Sequence, residues 1–146
     1  MYKTILVPIE NSDADRTILE HVESLARMTG ARVIVMHVAD GWAARHFDEL
    51  NLRESEEMQA DRAYLARVRS ELQQHGIEVE VRLRMGDPAK EICKAAEELG
   101  VDLLAMATHG HMGVSDMIHG STVDYVRHRV KMPVLLLKKR QADHRP

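Results

Sequence analysis

Ala107-Thr-His-Gly-His-Met-Gly-Val-Ser-Asp-Met-Ile-His-Gly-Ser-Thr-Val123 follows directly on the apolar run Val101-Asp-Leu-Leu-Ala-Met106 and leads into Val123-Asp-Tyr-Val-Arg-His-Arg-Val130. The run before it suits a buried strand, and the apolar spacing 123, 126, 130 after it is that of one helical face. Strand, glycine loop and helix in that order make a phosphate cradle. Gly110, Gly113 and Gly120 let the backbone approach a bulky anion, and the free N–H groups at the helix start point at it. Ser121 and Thr122 add hydroxyl donors where the helix dipole favours negative charge. The competing reading is that these glycines only make turns between elements.

Working outward, the rest of the chain repeats the alternation. Lys3-Thr-Ile-Leu-Val-Pro-Ile9 is an apolar run closed by the polar cluster Glu10-Asn-Ser-Asp-Ala-Asp15. Ile18, Leu19, Val22, Leu25, Ala26 and Met28 follow helical spacing, and Gly30 supplies a stop. Arg32-Val-Ile-Val-Met-His-Val38 has the near-continuous β-branched content of a strand covered on both faces. Residues 39 to 53 carry no clear period and are expected to form a mobile loop. From Glu54 to Gln74, Met58, Leu65, Val68 and Leu72 stand among charges, as in a helix with one apolar face. Val79, Val81 and Leu83 alternate with Glu80, Arg82 and Arg84, which predicts a strand with one less-buried face, near a sheet edge. Gly86-Asp87-Pro88 opens the helix from Ala89 to Leu99 with proline early and aspartate as cap. Val101 to Met106 is the fourth strand, Pro133 to Leu137 the fifth, and Gln141 to Pro146 a frayed end. The expectation is a single α/β domain over residues 1–146, an open, mostly parallel five-stranded sheet with helices on both faces. Ligands then bind beyond the carboxyl ends of the strands, where the strand order reverses. That rule gathers Glu10, Val38, Met85 and the 107–122 loop.

Composition sets the outer bounds. The chain has 146 residues, 45% hydrophobic and 29% charged, with formal net charge −3. That balance gives no electrostatic case for nucleic acid or a membrane surface. The single cysteine, Cys93, rules out an internal disulfide and points to a reducing compartment, and its place beside the apolar stripe Ala89, Ile92, Ala96, Leu99 makes it a packed thiol. The N-terminus lacks the layout of a signal peptide, and no apolar run approaches the ~20 residues of a membrane helix. A cytoplasmic protein is expected.

Val-Pro-Ile-Glu-Asn-Ser12 at the first strand, Met-His-Val38 at the second, Gly-Asp-Pro88 opening a helix, and Ala-Thr-His-Gly110 leading to Gly-Ser-Thr122 together resemble the universal stress protein family over nearly the whole chain. In nucleotide-binding members the loop runs Gly, two residues, Gly, nine residues, Gly, then Ser or Thr; the matching positions here are Ala107, Gly110, Gly120 and Ser121. The chain departs from that pattern twice. Ala107 replaces the first glycine, and Glu10-Asn11-Ser12 stands where Asp-Gly-Ser is usual. A glutamate keeps the carboxylate with a longer reach, and asparagine tolerates left-handed geometry.

The resemblance implies a Rossmann-like sheet of order 3-2-1-4-5, related to the adenine nucleotide alpha hydrolases, and ATP as ligand with magnesium at its phosphates; AMP or cyclic AMP is the alternative. Pro8, Ile9, Val38, Met85, Met106 and Ala107 would line the nucleoside side, Glu10 would read ribose or base, and Gly110, His111, Gly113, Gly120, Ser121 and Thr122 would hold the phosphates. For Val38 and Met85, packing is the competing reading. A homodimer through Val134 to Leu137 and an unknown protein partner are also implied. His109, His111 and His119 are a weak transition-metal candidate, since nothing aims them at one point. No catalytic residue is assigned. There is no Gly-x-x-x-x-Gly-Lys-[Ser/Thr] loop and no lysine in 107–123, so at most slow ATP hydrolysis is expected. A second reading is a family member that binds no nucleotide and acts as a dimeric interaction or protective protein. A third, an adenylyl- or phosphoryl-transfer enzyme, lacks its base or lysine.

Overall fold

The structure, a computed structural model, describes residues 1–40, 51–108 and 120–139, with backbone alone for residue 40 and residues 51–55. Five strands, β1 (Thr4–Ile9), β2 (Arg32–Asp40), β3 (Val79–Gly86), β4 (Leu103–Thr108) and β5 (Val134–Lys138), alternate with four helices among the described residues. These are α1 (Ala14–Thr29), α2 (Asn51–Gln74), α3 (Pro88–Glu98) and α4 (Gly120–Arg129). The sheet has the order β3-β2-β1-β4-β5, and all four pairings are parallel. The expected Rossmann-like α/β architecture is thus present, and the sheet is fully rather than mostly parallel.

Parallel neighbours need crossovers, and right-handed crossovers fix the helix faces. The first two connections move one way along the sheet and cover one face. There Ile18 and Val22 of α1 and Leu65, Val68 and Leu72 of α2 pack with Ile5, Val7, Ile9, Val33 and Val35. The chain then passes from β3 at one edge to β4 on the other side of β1, which puts α3 and α4 on the opposite face. Ile92, Ala95 and Ala96 of α3 and Val123 and Val126 of α4 pack there with Leu6, Ile34, Met36, Leu104 and Met106. Alternate residues of β1 serve opposite cores, as a strand buried on both faces requires.

Local signals account for most boundaries. Gly30 caps α1 in the left-handed region at φ 74°, its N–H donating to the Ala26 carbonyl at 2.8 Å. Asp87 caps α3 by accepting from the Lys90 N–H at 3.0 Å, with Pro88 in the first turn. Some boundaries and one burial differ from the sequence reading. β4 starts at Leu103 rather than 101, because the Asp102 side chain turns back to accept from the Lys3 and Thr4 N–H groups at 2.9 Å and so closes the start of β1. Those two bonds hold its carboxyl below the ordinary value. β2 runs on to Asp40 beside β3, and α2 begins at Asn51, so only 41–50 of the expected 39–53 loop stays unassigned, and it lies outside the described residues. Met28, expected on the apolar face of α1, is 84% exposed: burial follows Ala14, Ile18, Val22, Ala26, and position 28 falls half a turn away. β3 is an edge strand, as its alternation predicts. Its charged residues pair with neighbours, Arg84 with Glu98 at 2.7 Å and Arg32 with Glu80 at 3.5 Å.

Candidate functional site

Strand order reverses between β1 and β4, and there the sheet opens. β1 pairs with β2 along all six of its residues, from Thr4↔Arg32 to Ile9↔His37. With β4 it pairs only at Ile5↔Leu103 and Leu6↔Leu104. Pro8 lies just beyond the last pair and has no N–H to give a ladder, so the sequence itself ends the pairing there. In open α/β sheets the switch point between strands that part in this way leaves a crevice at the carboxyl end of the sheet, here with the loop after β1 on one side and the end of β4 on the other.

The β1–α1 loop is held by an unusual density of hydrogen bonds. Asn11 sits at φ 61°, the left-handed geometry it tolerates in place of glycine. Asp15, buried in the first turn of α1, accepts from the N–H groups of Glu10 at 3.0 Å, Asn11 at 2.7 Å and Ser12 at 3.3 Å. The Tyr64 hydroxyl of α2 donates to the same carboxylate at 2.6 Å. Burial raises the Asp15 pKa above its ordinary value, and these four donors hold part of that rise back. Burial, then Asp15 itself, pushes the Tyr64 phenol upward. The Ser12 hydroxyl donates to Glu10 Oε1 at 2.7 Å, so the half-buried Glu10 presents an oriented acceptor at the crevice.

Behind the loop, the buried His37 of β2 has Nδ1 2.9 Å from the Ile9 carbonyl and Nε2 3.4 Å from Asp61 Oδ2 on α2. A carbonyl accepts only, so Nδ1 carries the proton that bonds Ile9, and Nε2 can donate to the Asp61 carboxylate only when the ring carries its second proton. Ile9 itself is buried in the α1–α2 core, Val38 and Met106 in the α3–α4 core. Ala107 is 4% exposed, with its methyl packed among Ile5, Val7, Ile9 and Ala105 on the α1 side. Pro8 is buried as well. Met85 is 41% exposed at the end of β3, opposite Ala39 and two strands from β1.

α4 begins at Gly120, as the spacing 123, 126, 130 predicts, and its N-terminus lies at the same carboxyl edge. Gly120 and Ser121 are exposed, and Thr122 is buried. A Cβ built on Gly120 meets no heavy atom of the described residues within 4 Å. His109, Gly110, His111, Gly113 and His119 lie outside the described residues. Among the described residues no three His, Cys, Asp or Glu side chains converge as a metal site would require. Nor is any helix among them long and apolar enough to cross a membrane. Cys93 is half-buried against the α3–α4 core; burial raises its pKa and Arg129 opposes the rise.

The sequence reading missed Asp15, Tyr64, His37 and Asp61. Tyr64 and Asp61 stand three apart on one face of α2, beside the buried Leu65 and Val68, and that spacing was the available signal.

Comparison with known proteins agrees with this fold. Universal stress protein MJ0577 of Methanocaldococcus jannaschii is 27% identical over 97% of this chain and 98% of its own. Its solved structure superposes with TM-score 0.82 at 28% identity, covering 97% of this chain and 99% of that one. A universal stress protein of Archaeoglobus fulgidus in complex with dAMP shares the fold at TM-score 0.67 and 24% identity, covering 94% and 98% of the two chains. Another, in complex with cAMP, does so at TM-score 0.68 and 19% identity, covering 95% and 98%. The universal stress protein family model matches residues 1–138, and the chain belongs to that family.

Proposed function

We propose that this universal stress protein binds an adenine nucleotide in the β1/β4 crevice, ATP with magnesium at its phosphates in first place, and works as a nucleotide-dependent regulator in a cytoplasmic homodimer. The observation that carries this reading is the parting of β1 and β4 at the switch point, with the Glu10 carboxylate, held by Ser12, on one side and the helix N-terminus at Gly120 on the other. A carboxylate accepts from ribose hydroxyls or an adenine amino group, and a helix N-terminus favours phosphate. Pro8, Ile9, Val38 and Met106 build the apolar wall behind the base, with Met85 toward the rim. Ser121 and Thr122, with Gly110, His111 and Gly113, serve the phosphates. Magnesium keeps several waters and leans on substrate phosphates, so it needs no dedicated cage of protein carboxylates.

Cyclic AMP and dAMP in two family structures support the adenine class, and AMP or cyclic AMP is the alternative ligand. Ala107 is no obstacle, since its methyl packs into the core. The 107–123 stretch carries no lysine, and the nucleotide acts by favouring one conformation over another. For the dimer, β5 is a sheet edge with Leu136 37% exposed, while Leu135 and Leu137 pack inward.

Denaturing freshly purified protein and identifying released nucleotide by mass spectrometry, with calorimetric titration of ATP and magnesium, tests the proposal. Near-stoichiometric nucleotide or micromolar affinity supports it. An empty protein that takes up none of ATP, AMP and cyclic AMP overturns it in favour of a dimeric protective or interaction protein.

A further inference from the structure

We infer that Tyr64 and Asp61 of α2 are positioning residues for the loop that reads the adenosine, acting through Asp15 and His37. The inference rests on the proposed nucleotide site. Four successive main-chain groups surround Glu10: the Ile9 carbonyl and the N–H groups of Glu10, Asn11 and Ser12. Each is bonded by a side chain, the first by His37 and the other three by Asp15. Both of those side chains are contacted in turn from α2, Asp15 by the Tyr64 hydroxyl at 2.6 Å and His37 by the Asp61 carboxylate at 3.4 Å.

This is more than incidental packing. α1 and α2 leave between them a groove of about 700 Å³ lined by Ser12, Arg16, Leu19, Tyr64, Val68 and Leu72 among others, and the Tyr64–Asp15 bond ties the two helices across it. Asp61 and Tyr64 are one helical turn apart, so a shift of α2 along or away from the sheet moves both ties together. A carboxylate satisfied by four donors has one orientation, and it transmits that orientation to the loop. Whatever docks or displaces α2 therefore alters the placement of Glu10, and by reciprocity nucleotide at Glu10 steadies α2.

The test compares the wild-type protein with Tyr64→Phe, Asp61→Ala and, as control, Arg69→Ala at an exposed position of α2. All are held at a temperature where circular dichroism shows each fully folded. In the ligand-free protein, amide exchange at Glu10, Asn11 and Ser12 is expected to quicken by roughly tenfold in Tyr64→Phe and to stay unchanged in the control. In titrations with ATP and magnesium, Tyr64→Phe and Asp61→Ala are expected to weaken binding about tenfold, or ~1.4 kcal/mol. ATP should also slow exchange at residues 61–64 in the wild type, and Tyr64→Phe should lose that protection. Unchanged loop exchange in Tyr64→Phe overturns the inference without reference to any ligand. ATP binding within twofold of wild type in both variants overturns it while leaving the proposed function intact. A wild type that refuses nucleotide overturns the proposed function, and the positioning role with it.

Discussion

Replacing Tyr64 by phenylalanine removes one oxygen and one hydrogen bond, and the structure fixes both the size and the pH dependence of the loss. The deleted bond is short, 2.6 Å, and ends on the buried Asp15 carboxylate. Hydrogen bonds to charged groups contribute about 1.5–3 kcal/mol. Tyr64 is half-exposed and Asp15 keeps three N–H donors, so about 1.5 kcal/mol at neutral pH is expected, or ~3–6 °C in Tm for a domain of this size. The pH dependence follows from Asp15. Its folded-state pKa lies above the unfolded 3.8, so between those two values the native state holds a proton that the unfolded chain has released. Its contribution to stability is therefore full below pH ~3.8 and is lost as pH rises through the folded pKa. The Tyr64 bond lowers that folded pKa, so without it the pKa rises further and more stability is lost on the alkaline side. The gap between wild type and Tyr64→Phe is thus widest near neutrality and narrows on acidification. Urea unfolding followed by circular dichroism from about pH 7.5 down to about pH 4.5 reads this directly, because all other titrating groups are common to both proteins and cancel. A gap that stays constant, or widens toward acid, refutes an ionised Asp15 as the acceptor.

Three further outcomes follow from the geometry. Gly120→Val sets a branched side chain at the exposed start of α4, and it is expected to abolish ATP binding in titration calorimetry while leaving stability in urea unfolding within about 0.5 kcal/mol. Ala107→Gly removes a packed methyl and adds backbone freedom in a strand; it should cost about 1.5 kcal/mol in urea unfolding and leave nucleotide affinity equal or tighter. Leu136→Lys puts a charge on the exposed apolar residue of the edge strand β5, and sedimentation should show a dimer converted to monomer without loss of secondary structure.

Much of the fold was legible because period and punctuation agree. The buried run at β2, the alternation at β3, Gly30 and Asp87-Pro88 each state one local choice, and the parallel sheet is the arrangement that satisfies them together. The misplacements have tertiary causes. β4 starts late because Asp102 bonds across to β1, a contact 98 residues distant in sequence, and β2 runs long because β3 pairs with it through Gly86. At the site, residue types announced the crevice but not its support. Asp15 read as one more polar residue of a loop, and Tyr64 as part of a charged helix. Their meeting depends on α2 lying over the end of β1, which no window of sequence displays. Ala107 shows the reverse: its type marked it as a departure in the ligand loop, and only the strand's alternation reveals that its methyl faces the core.

The departure at Glu10-Asn11 can be argued further. A left-handed residue other than glycine is strained by about 1–2 kcal/mol, less for asparagine, and a longer acid wanders more than a short one. Each defect has a local answer. Asp15 accepts from the N–H groups of Glu10, Asn11 and Ser12, which holds the left-handed turn closed; the Ser12 hydroxyl holds the longer Glu10 side chain by Oε1. If Asp15 rather than glycine makes the turn, restoring flexibility should gain little. Asn11→Gly is then expected to leave ATP affinity within about twofold and stability within about 0.5 kcal/mol, its relief of strain offset by the extra entropy of the unfolded chain. Asn11→Ala, with no side chain suited to that region, should destabilise by about 1 kcal/mol. A tenfold gain in affinity for Asn11→Gly would mean that the loop is poorly placed as it stands, and that Asp15 and Tyr64 hold a geometry the ligand must first undo.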